Sequence, residues 1–290
     1  MRLLNRFLCL AFVFGAVVAT LSAQSAPCPS IWGIAKMTFL VSDFSLARSY
    51  YGDFLGFEEC FSYQSEEGMV ISFKVNDRQF LEFIEDPEAK DKKRMVSVSL
   101  EVDNVQEMES YFASKNVCII EKTRPDGARN EVMAVDDGYG NKVEFITFRP
   151  ESLHKQSKGK FLSEKRISTS IHHVGLYTDK VKNDDPFYTG ILNCKEVIRS
   201  PENREELPIM IYYALNSCAE YIEHYAHYDP NTCHPCFLVD NMQETISVLR
   251  ERKKEETLAK PAVGRANRWI LNLKNSDESK IEFTEAYCIR

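Results

Sequence analysis

The chain repeats itself, and that restricts its fold more than anything else in it. The stretch "VDNVQEM" at 102–108 returns as "VDNMQET" at 239–245. "YYGDFLGFEE" (50–59) is matched by "FYTGILNCKE" (187–196), "FLEFIE" (80–85) by "YIEHYA" (221–226), and "KVEFIT" (142–147) by "KIEFTE" (280–285). The separation between partners drifts by only a few residues, as insertions confined to loops would produce. Such a chain is a duplication, and each half must fold into its own copy of one unit.

Periodicity describes the unit. "SLARSYYGDFL", "VQEMESYFASK", "VKNDDPFYTGIL" and "MQETISVLRERK" carry apolar residues at three- and four-residue spacing, which predicts helices. Each follows a short apolar or alternating run, and further strand-like segments come after it, among them "MVISFKV", "QFLEFIE", "IMIYYAL" and "AEYIEHY". Each half therefore reads as strand, helix and strands, twice over. Between the halves, residues 150–167 sit in a polar, basic stretch without hydrophobic period, which predicts a linker.

A chain of 290 residues, 44% hydrophobic and 27% charged, has enough apolar material for two globular units and is not disordered or a coiled coil. Arg2 and Arg6 precede an apolar run from Phe7 to Leu21 and small residues from Ser22 to Ala26, the succession of a secretory signal. Residues 1–25 are thus expected to be removed on export to the periplasm or medium. No later run is apolar enough for a stable membrane span, which takes roughly 17–25 residues. The net charge of −7 and the absence of a basic cluster with interleaved aromatics exclude nucleic acid as a partner. A small-molecule ligand fits better, and assembly into a homo-oligomer stays open.

Of nine cysteines, Cys9 lies in the signal; the other eight are Cys28, Cys60, Cys118, Cys194, Cys218, Cys233, Cys236 and Cys288. An oxidising compartment permits disulfides among them, and a chain of this size also holds cysteines as small buried hydrophobes. "CHPC" at 233–236 has the spacing of a redox dithiol, but "FLVDN" follows it as strand rather than helix. On a strand, residues three apart lie roughly 10 Å from each other. A disulfide needs less than about 7 Å. The expectation is that Cys233 and Cys236 do not bridge.

In "HVGLYTDKVKNDDPFYTGIL", "CFLVDNMQETISVL" and "SKIEFTE" the chain resembles the vicinal oxygen chelate superfamily, which includes glyoxalase I, antibiotic-resistance proteins and type I extradiol dioxygenases. The resemblance covers residues 32–149 and 168–287. It implies an α+β fold of tandem duplicated domains, each made of paired βαβββ modules: an eight-stranded curved sheet forming a cup, with helices outside. It also implies one divalent metal ion held by residues of the first, fourth, fifth and eighth strands. In the second half those places hold His173, Glu223, His234 and Glu282, a set suited to Fe(II), Mn(II), Ni(II) or Zn(II). Strand parity agrees without reference to the family: Glu282 alternates with apolar Ile281 and Phe283, and His173 opposes His172 and Val174. In the first half the same places hold Lys36, Glu82, Ser97 and Glu144, and an ammonium repels a cation. One cup is armed and the other inert.

A metal in such a cup would chelate two neighbouring substrate oxygens and stabilise the developing anion. Ring cleavage would use His173, His234 and Glu282. The ring-cleaving relatives carry a histidine acid–base where this chain has Glu223, and a tyrosine where it has Asn272. His227 shares parity with Glu223 and is a further acid–base candidate. A glyoxalase-like lyase or isomerase would use all four groups, with Glu223 or Glu282 as base. A cup that only binds and sequesters a ligand is the non-catalytic alternative. Export itself predicts an intact mass short of about the first 22 to 25 residues in the secreted protein; retention of Met1 in a membrane fraction would contradict it.

Overall fold

A computed structural model describes residues 27–89, 93–215, 219–226, 232–252, 258–274 and 279–287. The expected signal, Cys9, Cys218, His227 and Cys288 lie outside these residues. The first half holds strands β1 (Ile31–Val41), β2 (Glu58–Ser65), β3 (Gly68–Lys74), β4 (Phe80–Glu85), β5 (Met95–Val102), β6 (Ile119–Pro125), β7 (Glu131–Asp136) and β8 (Lys142–Thr147). The second holds β9 (Ile171–Thr178), β10 (Lys195–Ser200), β11 (Met210–Ala214), β12 (Tyr221–Ala226), β13 (His234–Val239), β14 (Ala262–Val263), β15 (Trp269–Lys274) and β16 (Lys280–Glu285). Each half is one eight-stranded sheet, with orders β2-β3-β4-β1-β5-β8-β7-β6 and β10-β11-β12-β9-β13-β16-β15-β14. First and fourth strands of every module pair in parallel, and modules meet antiparallel at β1·β5 and β9·β13. This is the duplicated α+β arrangement that the repeat and the resemblance imply.

The twin "VDN" now has a local cause. Val102 and Val239 end β5 and β13, and the asparagines cap the helices that follow. Asn104 Oδ1 accepts from Gln106 N and Glu107 N at the start of α2 (Val105–Ser114), and Asn241 Oδ1 accepts from Gln243 N and Glu244 N at the start of α4 (Met242–Arg252). The other two predicted helices are shorter and looser. α1 (Phe44–Ala47) runs into a π-helical segment, Arg48–Phe54, and only Pro186–Ile191 of the predicted 181–192 is helical, again in π form. Asp185 explains the late start: its carboxylate accepts from Phe187 N and Tyr188 N, and Pro186 supplies a first-turn residue that needs no acceptor.

Alternation along the strands sends apolar side chains to the outer face, under the helices. Phe39, Phe83, Val98 and Phe145 in the first half and Val174, Phe237, Ile281 and Phe283 in the second are all buried in one continuous cluster. The halves share it: the Phe57 and Phe237 rings lie 5.1 Å apart, and Phe112 stacks on Phe187 at 6.3 Å. A fully buried ring of this kind contributes about 1.5–3 kcal/mol, so the outer face is the main source of apolar stabilisation. No helix among the described residues is long and apolar enough to cross a membrane.

The linker does more than connect. Within it, α3 (Leu153–Gln156) sends His154 into the first cup, 1% exposed, between Phe61, Phe80 and Phe148. The absence of hydrophobic period concealed this, because one buried imidazole makes no period. Where the chain passes back over the first half, Gly56 (φ +78°) faces the Lys165 carbonyl so closely that a Cβ would stand 2.2 Å from its oxygen.

Gln79 fastens the halves. Its carboxamide accepts from Ile171 N–H at 2.7 Å and donates to Ile171 C=O at 3.1 Å, imitating a neighbouring strand where β9 begins. Both groups are buried, so Gln79→Ala would leave an amide and a carbonyl without partners, at about 1–3 kcal/mol each. Urea denaturation should show a loss of that order; an unchanged midpoint would mean that Ile171 finds other partners.

Candidate metal centre

The register places the expected ligands together. His173 stands opposite Cys236, which stands opposite Glu282; Glu223 and His234 flank Gly175. All four expected ligands are buried. His173 Nε2 is 3.5 Å from Glu223 Oε2 and 3.6 Å from Glu282 Oε1, and His234 Nε2 is 4.0 Å and 3.8 Å from the same two carboxylates. His173, Glu223 and His234 bring one donor atom each within 4.8 Å of one another, as do His173, Cys236 and Glu282. Gly175 is required here, since a Cβ on it would lie 2.2 Å from the His234 ring.

These residues fit a metal on their own chemistry. His234 Nδ1 is 2.8 Å from the Thr232 carbonyl, so Nδ1 carries the proton and Nε2 presents its lone pair. That nitrogen is buried, aimed between two carboxylates, and has no hydrogen-bond partner among the described residues. Burial, with Lys280 and His173 nearby, holds the imidazole well below its ordinary pKa and so neutral. Burial also raises the Glu282 carboxyl, with the Glu223 charge adding to it. Against its own burial, Glu223 is kept below the usual carboxylate range by His173, Lys280 and Tyr212. Two carboxylates and two imidazoles converging on one buried point are a donor set that fits a divalent cation.

Around this floor lies a cavity of about 440 Å³, walled by Tyr177, Tyr212, Tyr221 and Tyr225 and bordered by Arg268 and Lys280. Tyr212 OH is 3.3 Å from His173 Nε2; Lys280 Nζ donates to Tyr177 OH at 2.9 Å and lies 3.4 Å from Glu282. Asn272 pairs with Glu282 and lines the same cavity. The sequence carried signals for several of these. Lys280 precedes Glu282 by two residues and Cys236 follows His234 by two, which on a strand means the same face. Arg268 comes from the loop between β14 and β15 and had no such signal. The acid–base candidate His227 lies outside the described residues.

One orientation read from the sequence needs correction. Alternation sends His172 outward with Val174, but His172 lines the cavity, accepts from Arg268 at 2.7 Å and brings Nδ1 to 2.9 Å from His173 Nδ1. The cause is a β-bulge. Ile171 pairs with Phe237 and His173 with Cys236, so His172 is an extra residue that the pleat does not govern. The first half has the same bulge: Ile34 pairs with Leu100 and Lys36 with Ser99, leaving Ala35 over.

Cup 1 shows the alternative filling. Lys36 Nζ is 2.8 Å from Glu82 and 3.4 Å from Glu144, reaching the two carboxylates equivalent to those His173 approaches. Tyr63 OH donates to Glu82 at 2.7 Å, His154 Nε2 is 3.1 Å from its other oxygen, and Ser99 donates to Glu144 at 2.6 Å. Ser97 lines the cup at the place of His234. Cup 1 thus sets an ammonium between its carboxylates where cup 2 sets the His173 imidazole.

The fold, two eight-stranded sheets each made of paired modules, is that of solved 2,3-dioxygenases. The solved structures it resembles include homoprotocatechuate 2,3-dioxygenase from Brevibacterium fuscum (TM-score 0.69, 17% identity, 89% of this chain and 72% of that one). The 2,3-dioxygenase LapB from Pseudomonas sp. KL28 matches at TM-score 0.70 and 12% identity, over 91% of this chain and 96% of that one. Homoprotocatechuate 2,3-dioxygenase from Arthrobacter globiformis matches at 0.67 and 16%, over 90% and 81%. No family model matches the sequence, and no curated protein sequence does. The likeness is one of fold.

The Lys36 cluster gives a prediction. Burial opposes the charge on Glu82, but Lys36 and His154 prevail and lower its pKa from 4.5 to about 2. A folded-state value below the unfolded one stabilises fully above pH 4.5, and this contribution is lost as pH falls toward about 2. Lys36→Met strands the buried carboxylates and should cost about 3–5 kcal/mol at neutral pH, read by denaturation. A neutral effect would mean that the cluster does not need its cation.

Proposed function

We propose that this chain is an exported, mononuclear metal-dependent dioxygenase that cleaves the ring of a small aromatic substrate bearing two vicinal oxygens. The observation that carries this reading is the asymmetry of the duplication: equivalent strand positions converge twice, on an ammonium in cup 1 and on two imidazoles and two carboxylates in cup 2. His173, His234 and Glu282 would hold the ion, with Glu223 as fourth ligand or acid–base group. Fe(II) suits this set best, and when bound it supplies a chelating centre for vicinal oxygens and a redox site for dioxygen. The solved relatives support the reading, one of them a complex with 3,4-dihydroxyphenylacetate.

The chain's own side chains supply the rest. Tyr177, Tyr212, Tyr221 and Tyr225 offer flat walls to an aromatic ring. Glu223 Oε2, beside the ligand cluster, accepts the proton that a substrate hydroxyl gives up on binding. Lys280, tied to Tyr177, places a positive charge where negative charge accumulates. Arg268 and His172 close the rim.

Protein purified without oxygen and loaded with Fe(II) should hold one ion per chain and consume dioxygen with a catechol. His173→Ala should lower metal affinity by at least about tenfold, while Ser97→Ala should leave the stoichiometry unchanged. Two ions per chain, or full occupancy after His173→Ala and His234→Ala together, would refute the assignment.

A further inference from the structure

We infer that Cys236 is a further ligand in cup 2, giving it a second, sulfur-containing donor set through which a thiophilic ion such as Zn(II) competes with the Fe(II) of the proposed function. This rests on the reading that the cup holds a cation, and goes beyond the histidine and carboxylate set assigned above. Cys236 occupies the middle of the floor: in register it faces His173 on β9 and Glu282 on β16. Its thiol is fully buried and free of disulfide. Cys236, His173 and Glu282 bring their donor atoms within 4.8 Å of one another.

Two further observations place the thiol among the donors of the floor. Ser99 holds the corresponding place in cup 1, opposite Lys36 and Glu144, and its hydroxyl donates to Glu144 at 2.6 Å. A side chain there reaches the carboxylate even when it is a serine. In cup 2 the unpartnered Nε2 of His234, fully buried, presents a lone pair to the same floor.

The cup therefore holds two donor sets that share His173. One is His173, Glu223 and His234, all nitrogen and oxygen; the other is His173, Cys236 and Glu282, with sulfur. Thiolate ligands favour Zn(II), whereas nitrogen and carboxylate donors also serve Fe(II) and Mn(II). Ligation exchanges the S–H bond for a sulfur–metal bond and releases the proton to solvent, with no electron transfer. The choice of ion then becomes a choice between donor sets.

The test is cobalt substitution of the whole protein. The wild type loaded with Co(II) should show the intense near-ultraviolet sulfur-to-cobalt charge-transfer band beside its ligand-field bands. Cys236→Ser and Cys236→Ala should keep the ligand-field bands and lose that one. In competition against a chelator, either variant should lose at least about tenfold in Zn(II) affinity, with Mn(II) affinity unchanged. Ligand-field bands without charge transfer in the wild type would overturn this inference and leave the cation reading standing, and need no variant to fold. An equal loss for Zn(II) and Mn(II) would likewise reduce Cys236 to packing. A protein that gives no ligand-field spectrum at all would refute both readings.

Discussion

The structure depends on one constraint, the pleat of two curved sheets whose outer faces are committed to a common apolar core. Phe57 against Phe237 and Phe112 against Phe187 join what would otherwise be two cores into one. Every side chain of opposite parity must then point into a cup. The large apolar core lies outside the cups, so their inner surfaces can differ without disturbing it. The same scaffold carries a lysine-centred ion cluster in one half and a histidine-rich floor in the other.

The bulge on the first strand of each half departs from that rule. An extra residue lets two neighbours face the same cavity, and the halves use this differently. In the first, Ala35 packs with Phe80 and Phe148 and helps to fill the cup. In the second, His172 joins His173 and links it to Arg268. The same irregularity thus adds an apolar contact in one cup and a polar side chain to the lining of the other.

Most of this architecture was legible in the sequence because it rests on periods and repeats. The twin "VDN" encodes strand end and helix cap, and alternation through Ile281, Glu282 and Phe283 encodes which way the acid faces. The four expected ligands and their four counterparts in cup 1 are where register requires. Three things were not legible, each for a physical reason. His172 escaped because a bulge breaks the alternation used to place it. His154 escaped because one buried histidine in a polar linker has no periodic signature. Arg268 escaped because a loop residue reaches its partner through a turn that no spacing rule describes. Cys236 and Lys280 were within reach, since each sits two residues from an expected ligand on the same strand.

Lys36 has a consequence for how the two halves meet their surroundings. Its cation is covalently part of the chain, so no chelator or metal-poor environment can take it from Glu82 and Glu144. Cup 2 has carboxylates in the same geometry, and under the proposed function its metal ion would come from solution. A ligand that binds only the folded state stabilises it in proportion to the logarithm of its free concentration. Because the two halves share one core, such stabilisation would not be confined to cup 2 but would reach the entire chain. Under that function the stability of both halves would follow the metal content of the surroundings, although only one half takes up the ion.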